Sequence, residues 1–228
     1  MFGAASEAFS KKNTNCSVAE GLKRFEKVCE VAAKANIPVR GYVSCVVGCP
    51  YQGHVEPSAV GEVSKLLLDM GCYEVSLGDT IGVGTPGSVL HMLEGVAAAG
   101  VPSSALAVHM HDTYGTALSN ILAALSSGVR VIDAAVSGLG GCPYAGPTAS
   151  GNVATEDVVY MLHGMGVDTG VDMDKLLDAG AFISAVLGKP QASRAARALL
   201  ARRAKEIAHA EARTEAAAAA LEAARVLK

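Results

Sequence analysis

Short apolar runs alternate with longer amphipathic stretches along this chain, with about 25 to 35 residues from one apolar run to the next. Val39–Val46, Tyr73–Leu77, Ala105–Met110 and Val129–Val136 read as buried strands, and Met1–Ala5 as the end of another, running into a loop. Between them lie helical patterns. Ser17 with Glu20 three residues on makes a capping box for a helix to about Asn36, with Leu22, Phe25, Val28 and Val31 on one stripe. Proline at the first turn starts helices at Pro57 (to Met70) and Pro86 (to Ala99). Further helices are expected up to Ser127, over Thr155–Met165 and over Met173–Leu187.

Regular alternation of strand and helix implies right-handed βαβ units and a parallel sheet, an α/β fold with both sheet faces covered. Four full strands and the stub of a fifth are too few to close an eight-stranded barrel, which takes about 250 residues. The expected architecture is therefore the C-terminal half of a TIM (β/α)8 barrel over residues 1–193. From Arg194 the composition turns to Ala, Arg and Glu, including the run Ala216–Ala220, and a helical extension is expected over 194–228.

Composition narrows the function classes. At 228 residues the chain suits one sizeable core. Its net charge of −3 gives no electrostatic case for nucleic acid, and no apolar run approaches a membrane span. The opening MFGAASEAFSKK lacks the pattern of a secretory signal. Six cysteines in a chain this long read as reduced thiols, and the Cys45/Cys49 pair has no companion pair with zinc-ligand spacing.

The chemistry is expected in the loops after the strands, which a parallel sheet gathers at one end. His109 and His111 share a face at the end of a strand, where two neutral imidazoles can hold one divalent ion. Asn152 adds an amide oxygen suited to a hard metal. Asp79 ends the preceding strand, where a carboxylate could move a proton. The loop Ser137–Ala145 is glycine-rich and carries Cys142, a candidate lid with an acid or base. Gly82-Val-Gly-Thr-Pro-Gly87 matches a dinucleotide fingerprint, but the next strand ends in His-Met-His rather than an acidic residue, so Pro86 reads as a helix start.

Taken together, FGAASE, VRGYVSC, GCPY, EVSLGDTIGVGTPG, AVHMHDTYG, GLGGCPYA and SGNVATEDVVYML closely resemble the 3-hydroxy-3-methylglutaryl-CoA lyase family of barrel metallolyases, from Phe2 to about Leu199. That resemblance implies cleavage of an acyl-CoA substrate to acetyl-CoA and acetoacetate with Mg or Mn. It also implies the mitochondrial matrix of a eukaryote or the cytoplasm of a bacterium, while the two exposed sheet edges of a half-barrel lead to the expectation of a homodimer. It assigns the metal to His109, His111 and Asn152, and proton transfer to His109. Asp79 and Cys142 take catalytic roles, while Glu156 and Ser76 become substrate-site residues. The family's first strand also carries an arginine-aspartate pair with no counterpart here. The expectation is thus a chain that starts near the family's fourth strand and cleaves poorly on its own. The Cys142–Asn152 loop, with Gly146-Pro147, is also one residue longer than the family pattern.

Overall fold

The computed structural model describes residues 2–141 and 151–226. Five strands form one parallel sheet in sequential order: β1 (Phe2–Ala4), β2 (Val39–Ser44), β3 (Cys72–Asp79), β4 (Leu106–Met110) and β5 (Val131–Asp133). The helices are α1 (Glu7–Thr14), α2 (Val18–Lys34), α3 (Pro57–Asp69), α4 (Pro86–Ala98), α5 (Ala117–Ser126), α6 (Thr155–Gly164), α7 (Met173–Leu187) and α8 (Arg194–Val226). Each of the first four strands is followed by a helix before the next parallel neighbour. This is the βαβ arrangement expected from the spacing of apolar runs.

Strand pleat decides what the site is made of. Successive side chains alternate between faces, and directly paired residues of parallel neighbours share a face. Val43, Val75, Leu77, Val108 and Met110 lie on one face, and each is at most 1% exposed. The other face carries Arg40, Tyr42 and Ser44 on β2, Glu74, Ser76 and Gly78 on β3, His109 on β4 and Asp133 on β5. Several of these are only half-buried. A sheet covered by apolar packing on both faces was the sequence expectation. Instead, one face is a hydrocarbon interface with helices and the other is polar.

Three local expectations are corrected. The segment after β1 is not loop throughout: it forms α1, capped by the Ser6 hydroxyl, which accepts from the Phe9 amide at 3.1 Å. Its only deeply buried large apolar residue is Phe9, so no apolar repeat advertises the helix. On α2 the inward stripe is Leu22 and Cys29, one i, i+7 row, while Val28 and Val31 are 52% and 67% exposed. β5 is shorter than Val129–Val136. After Asp133 the backbone leaves the ladder, and the Ala135 amide donates to the Val153 carbonyl at 3.2 Å.

The extension beginning at Arg194 is a single helix, as the composition predicts. The Asp157 carboxylate accepts from the Ser193 hydroxyl and the Ala195 amide, each at 2.7 Å, which ties the start of α8 to α6. Ala196 is fully buried there, whereas residues 201–218 are exposed. No helix among the described residues is long and apolar enough to cross a membrane.

Candidate metal centre

At the C-terminal ends of β2, β3 and β4 a cavity of about 280 Å³ opens on the polar face. Its lining includes Ser44, Ser76, Thr80, His109, His111 and Asn152. β4 delivers His109 on the open face. His111, two residues later, keeps the same side but is only 4% exposed. The returning segment after the glycine-rich loop lies antiparallel to it: Val153 donates to Met110 at 3.1 Å and His111 bridges Asn152. Residues far apart in sequence are thereby fixed side by side by backbone pairing rather than by chance rotamers.

The two imidazole centroids stand 5.3 Å apart. A metal-bound imidazole centroid sits about 3.2 Å from its ion, so this spacing falls within the roughly 6.4 Å that one shared ion permits. The Asn152 amide nitrogen donates to the Leu139 carbonyl at 2.8 Å, which turns its oxygen the other way. The Nδ1 of His111 and the Oδ1 of Asn152 are buried with no hydrogen-bond partner among the described residues. Asn120 Oδ1 on α5 is a third such atom; buried polar atoms are nearly always paired with protein, water or an ion. Burial, followed by the neighbouring His109, pushes His111 below the ordinary imidazole value and keeps it neutral, the form that ligates metal. The donor set fits a divalent ion: two neutral nitrogens and one neutral oxygen. Among the described residues no cluster of three His, Cys, Asp or Glu side chains adds to it.

Below the histidines the polar face holds an ion-pair network that the sequence reading missed. The Arg40 guanidinium grips Asp133 with two bonds of 2.9 Å. It also donates to Glu74 at 2.6 Å and to the Tyr42 hydroxyl at 2.6 Å. Burial opposes the charge of Arg40, but Asp133, Glu74 and Tyr42 outweigh it and raise its pKa. Burial likewise opposes ionisation of Asp133, yet His109, Arg40 and Ser76 together hold it far below the ordinary carboxylate range. The signal was a period of two, R-x-Y-x-S, E-x-S-x-G and H-x-H, on strands read as simply apolar.

The structure separates the sequence candidates. Ser76 faces the cavity, 1% exposed, and its hydroxyl donates to Asp133 at 2.7 Å. Cys142 lies outside the described residues, as do Gly146 and Pro147. Asp79 and Glu156 are fully buried and do not line the cavity. Asp79 is on the apolar side of β3, one residue out of phase with Gly78, and turns back into its own loop. Its carboxylate accepts from the Val83 and Gly84 amides at 3.2 and 2.8 Å. Burial pushes its pKa up against those amides. The glycines of the apparent dinucleotide fingerprint serve this wrap: a Cβ on Gly84 would stand 2.7 Å from the Asp79 carboxylate.

An Asp79→Asn chain is expected to lose about 1–3 kcal/mol of stability, because an amide cannot accept from both backbone donors. Its metal affinity should stay unchanged. Urea denaturation together with Mn²⁺ titration checks this, and weakened metal binding at full stability would reverse the assignment. Glu156 accepts twice from the Ser137 amide, at 3.0 and 2.9 Å, and once from the Gln191 side chain at 3.2 Å.

Residues 1–183 match the protein family described as HMGL-like. The chain belongs to that family. It is 62% identical over 198 residues to the cytoplasmic 3-hydroxy-3-methylglutaryl-CoA lyase of Rattus norvegicus, covering 87% of this chain and 57% of that protein. Against the mitochondrial hydroxymethylglutaryl-CoA lyase of Gallus gallus it is 61% identical, covering 87% of this chain and 66% of the relative. The crystal structure of the hydroxymethylglutaryl-CoA lyase from Pseudomonas aeruginosa superposes with a TM-score of 0.85 at 58% identity, over 88% of this chain and 66% of that one. The chain thus spans between about half and two thirds of the length of these relatives. Its five parallel strands are part of the same barrel fold.

Proposed function

We propose that this chain carries the metal-binding part of a site that cleaves 3-hydroxy-3-methylglutaryl-CoA to acetyl-CoA and acetoacetate. The observation that carries the reading is the convergence of His109, His111 and Asn152 on one cavity. His109, His111 and Asn152 would hold a divalent ion, Mg or Mn. When bound, that ion supplies a Lewis acid for the substrate's hydroxyl and carboxylate oxygens.

The chain's own residues account for the rest. A tertiary hydroxyl must lose its proton as the carbon–carbon bond breaks, and the carbanion left on the acetyl fragment must gain one. His109, with an imidazole 33% exposed on the cavity side, would hold the ion beside the hydroxyl and not take its proton, which would pass to water in the cavity. Cys142 is the proposed donor to carbon, on its place in the family's glycine-rich motif. Thr80 and Ser76 are held by Cys45 and Asp133 and shape the wall. We propose a homodimer as the assembly. A eukaryotic chain would work in the mitochondrial matrix and a bacterial one in the cytoplasm. The five cysteines among the described residues, all buried and none in a disulfide, suit either reducing compartment.

Calorimetric titration with Mn²⁺ tests the reading. The parent chain is expected to bind one ion, and His111→Ala to bind at least tenfold more weakly, because a neutral ring nitrogen is removed from a three-donor set. Equal affinity in the two chains would remove the metal assignment.

A further inference from the structure

We propose that Asp133 is a positioning residue for His109: it fixes the ring's orientation and tautomer, so that Nδ1 carries the hydrogen and Nε2 is presented to the cavity. This rests on the reading of His109 as a metal ligand. His109 and Asp133 are direct partners in the β4–β5 ladder, so their side chains leave the same face of the sheet side by side. The Asp133 Oδ2 lies 3.7 Å from His109 Nδ1, a small ring rotation from a hydrogen bond.

What distinguishes this carboxylate from a casual neighbour is how it is held. Its Oδ1 accepts from Arg40 at 2.9 Å. Its Oδ2 accepts from Arg40 at 2.9 Å and from Ser76 at 2.7 Å. Arg40 is itself pinned by Glu74 and by Tyr42, whose ring lies 4.9 Å beneath the guanidinium carbon. A carboxylate immobilised from two strands, with its remaining open side toward an imidazole, sets which ring nitrogen is protonated. It also raises the electron density available at the other. A plain surface ion pair would need neither Ser76 nor the register.

Three measurements on the whole chain test this. In the metal-free parent above the imidazole titration range, long-range ¹⁵N–¹H NMR should show His109 as the Nδ1–H tautomer. Finding Nε2–H would overturn the proposal without any variant. Asp133→Asn should bind Mn²⁺ about 10- to 100-fold more weakly, the range seen when the partner of a metal-bound histidine is lost. Glu74→Gln is the structural control. It disturbs Arg40 from the far side and leaves the Asp133–His109 pair in place, so its Mn²⁺ affinity should match the parent within about twofold. An equal loss in both variants would show a general effect of loosening the sheet and sink the proposal, as would parental affinity in Asp133→Asn. If the parent itself binds no Mn²⁺, the metal reading fails, while the tautomer measurement still decides whether Asp133 sets the state of His109.

Discussion

Arg40→Ala is expected to destabilise the folded chain by about 3 kcal/mol or more, because it leaves two carboxylates on one sheet face without their cation. Arg40, Glu74 and Asp133 are 17%, 13% and 21% exposed, so water screens them only in part. The guanidinium satisfies three partners with fixed fork geometry, and a lysine could not reach Glu74, Tyr42 and both oxygens of Asp133 together. Arg40→Lys should therefore recover only part of the loss. Urea denaturation at neutral pH measures both. A loss below about 1 kcal/mol for the alanine variant would place this network with ordinary surface pairs instead.

The same comparison has a defined pH dependence. Asp133 titrates lower in the folded chain than in the unfolded one. A depressed carboxylate contributes stability above its unfolded value, near 4, and loses it as pH falls through the folded value. The gap between the parent and Arg40→Ala should thus be widest at neutral pH and narrow progressively below about pH 4. A gap that widened on acidification would mean that Asp133 is not the group held down by Arg40.

How much of this was legible in the sequence follows from which forces are local. Helix starts were visible because capping is a matter of a few adjacent residues. Ser17 with Glu20 forms the capping box it advertises, and Thr85 caps the helix that Pro86 begins. The strand order followed from the alternation of periods. The His109/His111 pair was visible because both residues sit on one short stretch. What escaped was long-range. Arg40 meets Asp133 across three strand spacings and 93 residues. Nothing near either residue marks them as partners; only their phase on the pleat does. Phase also explains Asp79. A carboxylate at a strand end reads as catalytic, but one position along the strand decides whether it enters the cavity or turns back into its loop. α1 escaped because a helix of eight residues anchored by one phenylalanine has no repeat to show.

Glu156→Ala is expected to cost about 3 kcal/mol, from a residue that the sequence would place in the substrate site. The carboxylate is fully buried at the second position of α6, where the helix's free amides favour negative charge. It accepts both of its short bonds from the Ser137 amide and a third contact from Gln191. Ser137 has a left-handed backbone, φ 58, which a non-glycine residue keeps only when its surroundings hold it there. Its hydroxyl is bonded to Gln191 and lies 3.3 Å from Ser184 on α7. Glu156 thus joins the turn after β5, α6 and α7 at one buried point. Removing it strands the Ser137 amide and the Gln191 amide group and opens space beside Gly180. The turn it braces leads to Leu139, whose carbonyl orients Asn152. Mn²⁺ affinity should therefore fall together with stability, and Glu156→Gln, which retains one acceptor oxygen, should fall between the parent and alanine in both. Full stability with reduced substrate affinity in Glu156→Ala would instead place the carboxylate in the substrate site.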